Sequence, residues 1–168
     1  YQNAQGAALV NLAELLAAVV ADKAQYRPKP AFGYAGEEVW VLAERERLAR
    51  VLGHLVQNAI EATPDSGSVE VALRREADQA VVQVRDSGKG MDEAFVRDQL
   101  FRPFASTKAA GMGIGAYECR EYVRELKGDI RVESRVNGGT TFTVSLPVHI
   151  RNTTEENGET PLQGAIGG

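Results

Sequence analysis

The clearest hydrophobic pattern of the chain lies between Glu44 and Ala62, where apolar residues recur at helical spacing. They form one continuous stripe made of Leu48, Val51, Leu52, Leu55, Val56, Ala59 and Ile60. Such a stripe predicts an amphipathic helix that packs on a core. The same spacing predicts two further helices, over Asn11–Tyr26 and over Ile114–Lys127, and Gly128 closes the second.

Alternation of apolar and polar residues predicts strands in the rest of the ordered chain. They cover Val39–Leu42, Ser68–Arg75, Gln79–Arg85, Ile130–Val136 and Thr140–Leu146. The last two form a hairpin across Asn137-Gly138-Gly139. Helices and strands do not alternate strictly, as they would in a doubly wound fold. The order predicts an α+β fold, a two-layer α/β sandwich with a mixed, mostly antiparallel sheet and about three helices on one face.

The 168 residues are enough for one domain with a real core. We expect that domain over 9–148, a linker from an upstream helical domain over 1–8, and a flexible, polar tail over 149–168. Within the domain, residues 86–112 carry only a weak helical turn near Glu93–Leu100. An irregular stretch of this length inside a compact domain usually has a functional reason.

Charge and composition narrow the possible partners. The net charge of −4 and the pI of about 5.3 argue against nucleic acid as the main partner. A single cysteine, Cys119, excludes a disulfide within the chain and a zinc site built from cysteines. The longest apolar stretch, Ala7–Ala21, is too short to span a bilayer, so we expect no direct membrane contact from this chain.

Asp86 is the first candidate for chemistry. It shares one face of its predicted strand with Ala80, Val82 and Val84, so it ends an apolar row. A buried carboxylate needs a hydrogen-bond donor. Taken alone, it could simply cap the following turn. The glycines Gly88 and Gly90 let the backbone approach a ligand, and a flat base with an exocyclic amino group, such as adenine, suits the carboxylate.

His54 and Asn58 lie one turn apart on the long predicted helix, and Glu61 extends the same line. The alternative without a function is that these polar residues simply form the solvated face of the helix. The carbonyl oxygen of an asparagine nevertheless suits a hard cation such as Mg²⁺, which otherwise prefers water and phosphate oxygens.

Gly111-x-Gly113-x-Gly115 precedes a predicted helix, an arrangement typical of a phosphate cradle. It could also be a hinge. The dinucleotide-binding spacing is absent, because the glycines do not fit it and no strand comes directly before them. Phe101-Arg102-Pro103-Phe104 lies upstream, and its two phenylalanines could be core anchors.

The order of these signals resembles the N, G1, F and G2 boxes of the ATP-binding fold shared by gyrase, Hsp90, histidine kinases and MutL, the Bergerat-type fold. The boxes are His54-x-x-x-Asn58, Asp86-x-Gly88-x-Gly90, Phe101-x-Pro103-Phe104 and Gly111-x-Gly113-x-Gly115. The Phe-x-Pro-Phe stretch favours the histidine kinase branch. The stretch from Gly111 to Val123 is also similar to sensor kinases of PEP-CTERM exosortase systems.

The resemblance implies a role for each matching residue. Asp86 binds the adenine amino group, with Gly88 and Gly90 beside it, and Asn58 is the Mg²⁺ ligand. His54 lies near the phosphates. The residues that would cover or touch the triphosphate of ATP are Ser106, Thr107, Lys108, Gly111, Gly113 and Gly115. The stretch 91–112 is then a mobile lid.

The resemblance also implies a reaction. The chain would bind Mg-ATP and supply the γ-phosphate to a histidine on a separate dimerisation domain of the same protein, which passes it to a response regulator receiver domain. Neither His54 nor His149 resembles that acceptor, so the isolated chain is not expected to phosphorylate itself. The domain would be cytoplasmic, and anchoring of its parent protein in the inner membrane stays open.

Other activities of the same fold remain alternatives. Gyrase-type hydrolases carry a glutamate four residues before the asparagine, where this chain has His54. Some kinases carry a basic residue where this chain has Glu61. These differences argue against fast ATP hydrolysis and against a phosphate role for Glu61. A serine-directed anti-sigma kinase and a degenerate nucleotide-sensing scaffold are the further alternatives.

Overall fold

A computed structural model of the protein describes residues 6–103 and 115–150. Its helices and strands follow the predicted order, with two additional short strands near the start. In chain order they are β1 Ala8–Asn11, α1 Leu12–Ala21, β2 Ala31–Phe32, β3 Trp40–Ala43, α2 Arg45–Ala62, β4 Val69–Glu76, β5 Gln79–Asp86, α3 Glu93–Asp98, α4 Ala116–Glu125, β6 Asp129–Arg135 and β7 Gly139–Pro147.

The main sheet of the described residues has five strands in the order β2-β4-β5-β7-β6. Only β2 and β4 run parallel; the other neighbours are antiparallel. Strands β1 and β3 form a separate antiparallel pair. Helix α2 packs against β4 and β5, α4 packs against β6, and α1 packs against α2. The predicted α+β class with a mixed, mostly antiparallel sheet is therefore confirmed.

Helix α2 lies at the centre of the molecule and presents its apolar stripe to the sheet. Every residue of the predicted stripe is buried, including Leu48, Leu52 and Val56, which are fully enclosed. Burying such aliphatic side chains stabilises the fold by roughly 1.5–3 kcal/mol each. The helix ends at Thr63, whose hydroxyl donates to the carbonyl of Ala59 over 2.6 Å. Its last turn lies at the end of β5 that carries Asp86.

The ends of the first helix differ from the prediction. Helix α1 begins after Asn11, whose side chain accepts the N–H of Glu14, and it ends at Ala21 instead of Tyr26. The apolar stripe stops at Val20, so residues 22–26 have no face to bury and form turns. Strands β1 and β2 were not predicted. The structure describes β1 from Ala8 onwards, while the domain boundaries at 8 and 149 stay predictions.

Candidate functional site

Asp86 ends strand β5, and the residue is 7% exposed. Its Oδ1 accepts the backbone N–H of Gly88 over 2.8 Å and that of Thr140 over 3.2 Å. Burial raises the pKa of the Asp86 carboxyl, and the two N–H donors lower it by less. The apolar row of Ala80, Val82 and Val84 is buried, as the alternation of the strand predicted.

The second carboxylate oxygen of Asp86 is available to a ligand. Within residues 6–103 and 115–150, no group donates a hydrogen bond to Oδ2 or forms an ion pair with this carboxylate. A carboxylate oxygen that the protein leaves without a donor takes its hydrogen bond from water or from a ligand. The geometry therefore suits a ligand that brings an N–H or O–H donor to Oδ2.

Asp86 belongs to a row of side chains that runs across the sheet. Val69, Asp86, Thr140 and Ser134 are direct partners on β4, β5, β7 and β6, so their side chains share one face. Two residues further along each strand, the same face carries the apolar row Val71, Val84, Phe142 and Val132. The three polar residues of this row, Asp86, Thr140 and Ser134, thus border an apolar row on the same face, which suits a planar base.

The loop after β5 is held by its backbone between two other parts of the chain. The N–H of Lys89 donates to the carbonyl of Ala62 at the end of α2 over 3.0 Å. The carbonyl of Lys89 accepts the N–H of Asn137 in the β6–β7 turn over 2.7 Å. On the β4 side, the Ser87 hydroxyl accepts the N–H of Ser68 over 2.8 Å.

Two predicted residues of this loop must be glycines. A side chain at Gly88 would collide with the carbonyl of Ala62. Gly90 has a φ of +66°, and a side chain there would collide with the carbonyl of Arg135. Close approach and left-handed backbone together explain the Gly-x-Gly spacing after Asp86.

His54 and Asn58 form a hydrogen-bonded pair on α2, with 3.1 Å between Asn58 Nδ2 and His54 Nε2. An amide nitrogen only donates, so Nε2 accepts and a neutral His54 carries its proton on Nδ1. Asn58 lies one turn before Ala62, whose carbonyl is bonded to Lys89. The pair therefore lies near the end of α2 that contacts the Asp86 loop.

Asn58 would be a magnesium ligand only together with phosphate oxygens or water. Among the described residues, no three histidine, cysteine, aspartate or glutamate side chains come together in a way that could hold a metal. A single neutral oxygen fits Mg²⁺, which is commonly held by few protein ligands plus substrate phosphates.

Most of the residues predicted to cover the triphosphate fall between the two described ranges. Thr107, Lys108, Gly111 and Gly113, together with Ser106, lie outside the described residues. Gly115 is described as the N-cap of α4, and its N–H donates to Oε2 of Glu118 over 2.9 Å. Two cavities of the described residues, of about 370 and 400 Å³, contain no predicted site residue.

Sequence reasoning missed two residues that contact the Asp86 region, Thr140 and Ser134. Both lie in predicted strands, and only the pairing of those strands brings them beside Asp86. The alternation of residues along β7 does indicate that Thr140 is buried, because Thr140 shares one face with the buried residues Phe142, Val144 and Leu146.

A mixed sheet covered by helices, with a buried carboxylate beside a glycine loop, is typical of a nucleotide-binding domain. A family model described as "Histidine kinase-, DNA gyrase B-, and HSP90-like ATPase" matches residues 43–150. The chain belongs to this family of ATPase domains. Membership implies that ATP is the nucleotide that it binds.

Sensor proteins and kinases are among its relatives. The C4-dicarboxylate transport sensor protein DctS of Rhodobacter capsulatus is 38% identical over 141 residues, which are 82% of this chain and 21% of DctS. The chain spans about a fifth to a quarter of the length of the first curated relatives that it matches. No described helix has the length and apolar character needed to cross a membrane.

Solved structures confirm the fold. The nucleotide-free catalytic domain of histidine kinase ThkA matches with a TM-score of 0.72 and 32% identity, covering 84% of this chain and 95% of that domain. ThkA in complex with response regulator protein TrrA matches with a TM-score of 0.69 and 29% identity, covering 85% of this chain and 42% of that one. The narrower resemblance to PEP-CTERM sensor kinases stays a prediction.

Proposed function

We propose that this domain binds Mg-ATP through Asp86 and Asn58 and supplies the γ-phosphate to a histidine on a separate domain of the same protein. The observation that carries the proposal is Asp86 Oδ2, an oxygen of a buried residue that accepts no hydrogen bond from the described residues. The amino group of adenine would supply that donor, and Val84 and Phe142, two residues along the strands from Asp86 and Thr140, give the face beside the carboxylate its apolar character.

The α2 side of the site would serve the phosphates. Asn58 engages His54 through its amide nitrogen, which fixes the orientation of the amide. Its carbonyl oxygen is then the atom with the chemistry of a magnesium ligand. The ion supplies charge neutralisation for the triphosphate, and Gly88 and Gly90, with Thr107, Lys108, Gly111, Gly113 and Gly115, complete the proposed binding set.

Transfer of the phosphoryl group depends on positioning and charge neutralisation rather than on a nucleophile within this chain. His54 is bonded to Asn58 within α2, and His149 follows the last strand, where its N–H donates to the carbonyl of Trp40. Neither has the environment of an exposed acceptor on a helical hairpin. The acceptor therefore belongs to a histidine-bearing dimerisation domain, and a response regulator takes the phosphate afterwards.

Calorimetry of MgATP binding to the purified chain tests this function. Asp86→Asn should lose most of the ATP affinity, whereas Asp78→Asn, the same change in the exposed turn before β5, should not. Asn58→Ala should lose the part of the affinity that magnesium adds, and Gln57→Ala, the neighbouring amide on α2, should keep it. Equal affinities for wild type and Asp86→Asn would refute the assignment of the base site.

A further inference from the structure

One hydroxyl, that of Ser134 on β6, joins the two sides of the proposed base site. It accepts the backbone N–H of Met91 over 2.8 Å. It lies 2.7 Å from the hydroxyl of Thr140 and 3.2 Å from the carbonyl of Gly139. Ser134 is half-buried, and nothing in the sequence pattern distinguished it from its neighbours.

Counting protons limits what this hydroxyl can do, because a serine donates one hydrogen bond. If Ser134 donates to Gly139, Thr140 must donate to Ser134 and its own proton is used. If Ser134 donates to Thr140, the Thr140 proton is released toward another acceptor. Both arrangements keep the 2.7 Å contact between Ser134 and Thr140, and they differ only in the contact to Gly139, which at 3.2 Å is long for an O–H···O bond and costs little to give up.

The register places the Thr140 side chain beside that of Asp86. Thr140 is the direct partner of Asp86 on one side and of Ser134 on the other, so the three side chains share one face. Asp86 Oδ2 then offers an acceptor and the Thr140 hydroxyl offers a donor next to it. Adenine presents the complementary edge, an amino donor beside an unprotonated ring nitrogen. Guanine presents a carbonyl and a ring N–H instead.

We propose that Ser134 is a positioning residue for base selection, which acts by directing the Thr140 hydroxyl proton toward the bound base. The inference rests on the proposed nucleotide site at Asp86. Without Ser134, the Thr140 hydroxyl can turn and accept a ring N–H as readily as it donates. The site then discriminates less between adenine and guanine, although Asp86 is unchanged.

The test compares MgATP and MgGTP binding to the full 168-residue chain by calorimetry. Ser134→Ala should lower the ratio of ATP to GTP affinity about five- to tenfold, the effect of one neutral hydrogen bond. Ser134→Thr, which keeps the hydroxyl in a strand, should retain the ratio. A purely structural role would weaken both nucleotides equally, so the ratio separates positioning from a loss of stability.

A double-mutant cycle shows whether Ser134 acts through Thr140. Thr140→Val removes the second hydroxyl at nearly constant volume, and Ser134→Ala in that background should leave the ratio as it is. Two results would overturn the role of Ser134 and leave the proposed function standing. One is a ratio of ATP to GTP affinity that Ser134→Ala leaves unchanged. The other is that Ser134→Ala lowers this ratio as much in the Thr140→Val background as in wild type. Wild type that binds neither nucleotide overturns both.

Discussion

Asp86 and Thr140 face each other across β5 and β7, and the backbone N–H of Thr140 donates to Oδ1 of the carboxylate over 3.2 Å. The same oxygen accepts the N–H of Gly88. Because both donors converge on one oxygen, the carboxylate is oriented before a ligand arrives. An acceptor that is held in advance loses less conformational freedom on binding, which favours affinity and specificity.

Ionisation of Asp86 should contribute to the pH dependence of the free energy of unfolding. Its folded-state pKa lies above the usual 3.8, mainly because of burial. The folded protein therefore binds this proton more tightly than the unfolded chain, and the stability contribution of the group declines as pH rises from 3.8 through the folded pKa. Asp86→Asn should then gain stability relative to wild type between acid and neutral pH.

Urea unfolding of both proteins at a series of pH values measures this difference. The mutant should be as stable as wild type or more so at neutral pH, while its ATP affinity is lost. The opposite result would be a mutant that loses stability relative to wild type as the pH rises from acid to neutral. That result would show that the ionised carboxylate stabilises the fold. In that case, burial is not the dominant influence on its pKa.

The loop glycines should be needed for stability as well as for binding. Gly90→Ala places a side chain against the carbonyl of Arg135 at a φ of +66°. We expect a loss of about 1–3 kcal/mol in the free energy of unfolding. Gly33→Ala is the matched control, because a side chain at Gly33 meets nothing within 4 Å. Equal stability of the two variants would contradict the close approach.

The single cysteine should be inert in the folded protein. Cys119 is fully buried in α4, and burial raises the pKa of its thiol to about 12. The thiolate is the reactive form, so a thiol reagent at pH 8 should label the native protein at least about a hundredfold more slowly than the urea-unfolded chain. Fast labelling without loss of structure would mean that Cys119 is reached by solvent.

The chain alone should hold no phosphate. Incubation with ATP labelled at the γ-phosphate should leave the isolated chain unlabelled, because neither His54 nor His149 is placed as an acceptor. The measurement is acid-sensitive label retained on the denatured protein, with a histidine-bearing dimerisation domain of a related kinase added in a parallel sample. Stable label on the chain alone would place the acceptor here and contradict the separate-domain proposal.

Strong periodic patterns were predictable from the sequence. The stripe on α2 and the row that ends at Asp86 extend over many residues, so burial and pattern agree. Strand β1 was not predictable, since its four residues continue into the apolar run of α1 and only pairing with β3 makes them a strand. Strand β2 has two residues, too few to show a pattern, and it pairs with β4.

Contacts that depend on strand register could not be predicted from the sequence either. Thr140 and Ser134 are separated from Asp86 by about fifty residues, and no local pattern says which residues of β5, β6 and β7 face one another. Register follows from packing of the whole face and from the Asn137–Gly139 turn, because a shift by one residue would turn every side chain over.

The backbone bonds of Lys89 have a consequence for variation at the site. Its N–H and carbonyl connect α2 to the β6–β7 turn, while its side chain is exposed and takes no part. Any amino acid except proline can make the same two bonds. Position 89, between Gly88 and Gly90, is therefore open to change. A different side chain can be introduced there, beside the proposed nucleotide, without breaking the two backbone bonds.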